Sequence, residues 1–94
     1  MGVVMPKFVI EREMPGASKL SEAEIQEASQ KSLEALRHLG PEIRWIQSFV
    51  TGDKIYCIYS APDEGMIKEH GRLAGLPVDR VVVVRRVLDP SNFE

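Results

Sequence analysis

His70 is the residue of this chain best suited to chemistry near neutral pH. It shares helical spacing with Met66, Ile67, Leu73 and Ala74, so it falls on the apolar face of a predicted helix. A neutral imidazole in that position can ligate nickel, zinc or copper, or serve as a general base. It can equally be a core histidine bonded to a backbone carbonyl or a tyrosine. Glu11 and Glu13 share one face of a predicted strand. A carboxylate inside a strand must be solvated, paired or a ligand. The pairing partners would be Arg12, Arg44, Arg85 or Arg86. Cys57, the one cysteine, is a soft metal ligand as a thiolate or a small buried hydrophobe as a thiol. Tyr56 and Tyr59 flank it and offer hydroxyls that could orient a ligand. Trp45 is expected in the core, at a subunit interface or on a pocket wall. His38, near the end of a first helix, fits a favourable helix-dipole interaction, and Glu69 is expected in solvent.

No strong motif accompanies these residues. The chain has no P-loop, no dinucleotide-binding glycine pattern, no His-x-x-x-His and no nucleophile elbow. The Gly71 to Gly75 spacing ends a helix, where a phosphate loop would begin one. A single cysteine can neither close an internal disulfide nor hold an iron–sulfur cluster. No haem, flavin or nucleotide is expected either. The 94 residues are 44% hydrophobic and 28% charged, with a formal charge of −2. That balance favours neither nucleic acid nor an anionic membrane. Met1 to Met5 is too short for a signal peptide or a span, and Met5 is an alternative start. A reducing cytoplasm is the expected setting.

The elements that must position these side chains are legible. Lys7–Glu13 reads as a strand, with Phe8, Ile10 and Arg12 on one face and Val9, Glu11 and Glu13 on the other. Ser21 and Glu24 form a capping-box sequence. The helix they open runs to about Leu39, with Ile25, Ala28, Ser29, Ser32, Leu33, Leu36 and Leu39 inward. Gly40-Pro41 stops it. Ile43–Thr51 and Lys54–Ser60 read as strands joined at Gly52-Asp53. A two-residue turn pairs Val50 with Ile55, Ser48 with Cys57 and Ile46 with Tyr59. On the other face it pairs Phe49 with Tyr56, Gln47 with Ile58 and Trp45 with Ser60. A second helix runs from Asp63 or Glu64 to about Ala74. A last strand begins at Val81 and fades at Asp89-Pro90.

The order β-α-β-β-α-β predicts an α+β, ferredoxin-like domain over residues 1–94, its ordered core spanning about 6–90. A four-stranded antiparallel sheet would carry both helices on one face. The strands, however, are apolar on both faces, whereas a sheet with one wet face should alternate. A bare apolar face is rare on monomers. The expectation is a homodimer packed sheet to sheet, unless Arg85 and Arg86 screen that face.

Met5-Pro6-Lys7-Phe8-Val9-Ile10-Glu11-Arg12-Glu13, Trp45–Thr51, Asp53–Cys57, Ala61-Pro62-Asp63-Glu64, Glu69-His70 and Gly75-Leu76-Pro77 together resemble a family of small bacterial domains of largely unknown function. Members of it are described as nickel-binding proteins. The resemblance covers about Met5 to Pro90. It implies a ferredoxin-like fold that pairs into a dimeric α+β barrel, and a site for nickel or another divalent transition metal. His70, Glu11, Glu13 and Cys57 lie in the matching segments and are the metal-ligand candidates. Two histidines per chain leave carboxylates, water or a partner subunit to complete such a site.

Three readings follow. The first is a small dimeric nickel-binding protein with His70 as principal ligand. The second is a cofactor-independent enzyme, monooxygenase- or isomerase-like, with His70 and a tyrosine in a helix–sheet pocket. The third is a non-catalytic interaction module.

Overall fold

Alternation along the first strand sets the architecture. In β1 (Lys7–Glu13), Phe8, Ile10 and Arg12 are buried on one side, while Lys7 and Glu13 are exposed on the other. The structure, a computed structural model, describes residues 5–93; the N-terminal stretch Met1 to Val4 lies outside the described residues. Ser21 opens α1 (Glu22–Leu39) as the capping box requires. The Glu24 N–H donates to Ser21 Oγ at 3.1 Å, and the Ser21 N–H donates to Glu24 Oε1 at 3.0 Å. The inward stripe of α1 is narrower than its spacing predicts. Ser32 and Ala35 are buried, whereas Ile25 and Leu33 remain at 37% and 36% exposure. Ile25 overhangs the mouth of a cavity between α1 and the sheet, described below.

β2 (Arg44–Val50) and β3 (Lys54–Ser60) form the expected hairpin. Its turn is closed by the Thr51 N–H donating to Lys54 O at 2.9 Å. Val50 pairs with Ile55, Phe49 with Tyr56, Ser48 with Cys57 and Gln47 with Ile58, as a two-residue turn dictates. The register then breaks. Trp45 pairs with Tyr59 and Arg44 with Ser60, leaving Ile46 as an extra residue. The expected pairs Ile46 with Tyr59 and Trp45 with Ser60 are thereby corrected. One inserted residue reverses the in–out alternation of all that precedes it. Trp45 therefore turns to the helix side.

α2 (Glu64–Ala74) is capped by Asp63, whose carboxylate accepts from the Met66 N–H at 2.9 Å. It buries Ile67, His70, Gly71 and Ala74 and ends at Gly75, which takes the left-handed conformation with φ 69°. Gly71 has a separate purpose. A Cβ there would lie 2.5 Å from Val78 Cγ2 and 3.1 Å from Leu76 O. Its absence lets the turn after α2 lie flat against the helix. β4 (Arg80–Val83) has four residues and pairs antiparallel with β1. Beyond it the chain has no regular structure until a 3-10 turn at Pro90–Phe93, so the last strand is shorter than its apolar run suggests.

The sheet order is β2-β3-β1-β4, all antiparallel. This is the α+β, ferredoxin-like arrangement. The helices cover the face that carries Phe8, Ile10, Cys57 and Tyr59, which pack with Ile67 of α2 and with Leu36 and Leu39 of α1. On the outer face Val9, Tyr56 and Ile58 are partly buried. Phe49 at 51% and Val82 at 43% are exposed there, and Ile46 stands out at the bulge.

Candidate functional site

Three buried polar side chains from three elements meet under the helices. His70 of α2 is fully buried. Its Nε2 lies 3.2 Å from the Ser32 carbonyl oxygen and 3.1 Å from Ser32 Oγ. A carbonyl can only accept, so Nε2 carries the proton and Nδ1 presents a lone pair. Ser32 Oγ is also 3.3 Å from the Tyr59 hydroxyl. The Tyr59 and His70 rings sit 5.1 Å apart at 52°. His70 Nδ1 has no hydrogen-bond partner among the described residues. Burial pushes the His70 pKa down, and the positive charge of Arg12 pushes the same way against the bond to Ser32. Burial likewise pushes the Tyr59 hydroxyl up. Both are neutral at pH 7.

Beside this cluster a cavity of about 340 Å³ lies between α1 and the sheet, within the range of small-ligand pockets. Its walls are mostly apolar and include Ile25, Trp45, Val50, Ile55 and Cys57. The polar groups on them are Ser29, Ser32, Ser48, Tyr59 and Arg12. Trp45 is fixed there by its Nε1–H donating to Ser48 Oγ at 2.8 Å. His70 stands behind Ser32 and Tyr59, off the cavity wall.

The anticipated site residues divide between two faces. Cys57, Tyr59 and Trp45 line the cavity, with His70 bonded to Ser32, also on the wall. Glu11, Glu13 and Tyr56 lie on the opposite face, where Glu11 pairs with Tyr56 across the strands. The partner of both carboxylates is Lys54, with Nζ 2.9 Å from Glu11 and 3.3 Å from Glu13, in place of the arginines considered from the sequence. The Lys54 ammonium holds the Glu11 carboxyl below its usual range, and the carboxylates raise Lys54. Glu69 pairs with Arg72 on the surface of α2. Among the described residues no three His, Cys, Asp or Glu side chains are grouped to hold a metal ion. The described donors of one chain are therefore too scattered to hold a nickel ion by themselves. From residue type alone Arg12 is no more than a possible ion-pair partner. The signal was its register: it shares the inward face of β1 with Phe8 and Ile10.

Residues 8–84 match the model of a family described as "Nickel responsive protein SCO4226-like". Among solved structures, the chain is similar to that of SCO4226 from Streptomyces coelicolor A3(2). The TM-score is 0.74 at 18% identity, over 87% of this chain and 99% of that one. At that identity the likeness speaks for the fold. No curated protein matches the chain significantly.

A His held neutral by burial makes folding depend on pH. The folded protein binds the proton less readily than the unfolded chain, so stability is fully present above about pH 6.5 and declines below it. Denaturant midpoints are expected to fall between pH 7.5 and 5.5, and His70→Gln should flatten that slope. An equal slope in the variant would remove His70 as its cause.

Proposed function

The chain belongs to the SCO4226-like family of nickel responsive proteins, and on that premise we propose that it is a small ligand-binding protein whose working site is the cavity between α1 and the sheet. The observation that carries this is the convergence of buried polar side chains, Arg12, Ser32 and Tyr59, on an otherwise apolar cavity. Packed cores rarely leave such space, and buried polar groups normally find partners. The neutral dye N-phenyl-1-naphthylamine tests it. Saturable binding is expected, and Ala28→Phe, which fills the cavity from α1, should weaken it at least about tenfold while leaving a cooperative fold. Unchanged binding in Ala28→Phe would place the dye elsewhere and remove the cavity as the site.

A second reading keeps a divalent transition metal, nickel first, as ligand. The family description favours it, as does the unpartnered Nδ1 of His70. Cys57, Glu11 and Glu13 remain the other candidate donors, and water or a second copy must complete the set. The charge of Arg12 in the same core opposes a cation there, which places this reading second. Calorimetric titration of the untagged protein with nickel decides it. Stoichiometric binding that His70→Ala abolishes supports the assignment, and unchanged stoichiometry in that variant would sink it.

The assembly proposed is a homodimer through the outer sheet face. Phe49 and Val82 are exposed there beside Val9 and Ile58, an apolar surface of the kind that marks an interface. Sedimentation at micromolar concentration should give a dimer, and Phe49→Lys with Val82→Lys a folded monomer. A monomeric wild type would exclude this assembly.

A further inference from the structure

Among the described residues Arg12 is the fully buried side chain that carries a permanent charge, at 1% exposure. Among the described residues it has no carboxylate partner. Its Nη1 donates to the Pro77 carbonyl oxygen at 2.6 Å. Its Nε and Nη2 are buried and have no acceptor. Those two N–H groups lie on one edge of the planar guanidinium. Together they form the fork that donates to both oxygens of a carboxylate. The Tyr59 hydroxyl is near enough to feel the Arg12 guanidinium, but its hydrogen bond within normal distance is to Ser32, which also bonds His70. A lone guanidinium in such surroundings is a strong source of binding energy for an anion, because its desolvation is already spent in folding.

The walls limit what that anion can be. Among the described residues Arg12 is the one charged side chain on them, and most of the rest are apolar. A single positive charge matches a single negative one. A phosphate monoester brings nearly two charges and three oxygens, and would leave charge unmatched against Trp45, Val50 and Ile55.

We infer that the cavity binds a small monocarboxylate with an apolar body of aromatic size, its carboxylate held side-on by Nε and Nη2 of Arg12 and its body against Trp45 and Ile55. This rests on the cavity being the ligand site and adds the ligand class.

Phenylacetate and phenylacetamide, equal in shape and different in charge, are the probes. Trp45, the one tryptophan, reports by fluorescence and calorimetry measures affinity independently. Phenylacetate is expected to bind roughly tenfold to a hundredfold more tightly than the amide. Arg12→Met should abolish that preference. Arg12→Lys keeps the charge but lacks the fork, so it should reduce the preference, and it decides the matter should Arg12→Met not fold. Equal affinities in the wild type, or an acid preference that survives Arg12→Met, would overturn the inference. Binding of N-phenyl-1-naphthylamine without an acid preference would leave the cavity as a site and remove the carboxylate. No binding by any of the three would remove both.

Discussion

A guanidinium taken out of water without a counter-charge costs several kcal/mol, and much of this domain is arranged around one. Arg12 is inward because β1 alternates and its neighbours Phe8 and Ile10 must be inward. Turning Arg12 out would turn them out as well, and the core would lose more than the charge costs. The compensation on its far side comes from backbone. The Pro77 carbonyl accepts from Nη1, and it can reach that position because Gly71 has no Cβ to hold the turn away. A left-handed Gly75 then lets the chain leave α2 at the required angle. One buried charge thus constrains β1, the end of α2 and the approach to β4 together.

The second joint is neutral. His70, Ser32 and Tyr59 tie α2, α1 and β3 through one serine, whose hydroxyl and carbonyl both serve. Small side chains on α1, Ala28, Ser29 and Ser32, line the cavity on its helix side. They keep the helix close enough for the polar joint and leave the space beside it unfilled. Cavity and network are two results of the same choice of small residues. The carboxylates that could serve a metal are across the sheet and neutralised by Lys54.

Much of the fold was legible in local pattern. The capping box at Ser21 and Glu24, the Asp63 cap, the Gly52-Asp53 turn and the period-two alternation of β1 each have a local physical cause. Each is where its residues predict. The α+β order and the four-stranded antiparallel sheet followed from them. The turn also carried most of the hairpin register, as far as Gln47 and Ile58. Leu33 and Ile25 show the limit, because helical spacing names a stripe but not how closely the sheet will cover it.

Which face of the sheet meets the helices was undecided by residue type, since both faces are apolar. It follows from where α1 and α2 cross the sheet, a matter of connection and packing between distant segments. The bulge at Ile46 is of the same kind. No local signal announces it, and it sends Trp45 to the cavity because one extra residue reverses the alternation of those before it. The separation of Glu11 and Glu13 from His70 and Cys57 also needed the third dimension. Sequence alone determined the elements and that Arg12 shares a strand face with Phe8 and Ile10, because those depend on neighbours within a few residues. Tertiary structure decided that Arg12 meets no carboxylate, because partners are chosen among residues far apart in the chain.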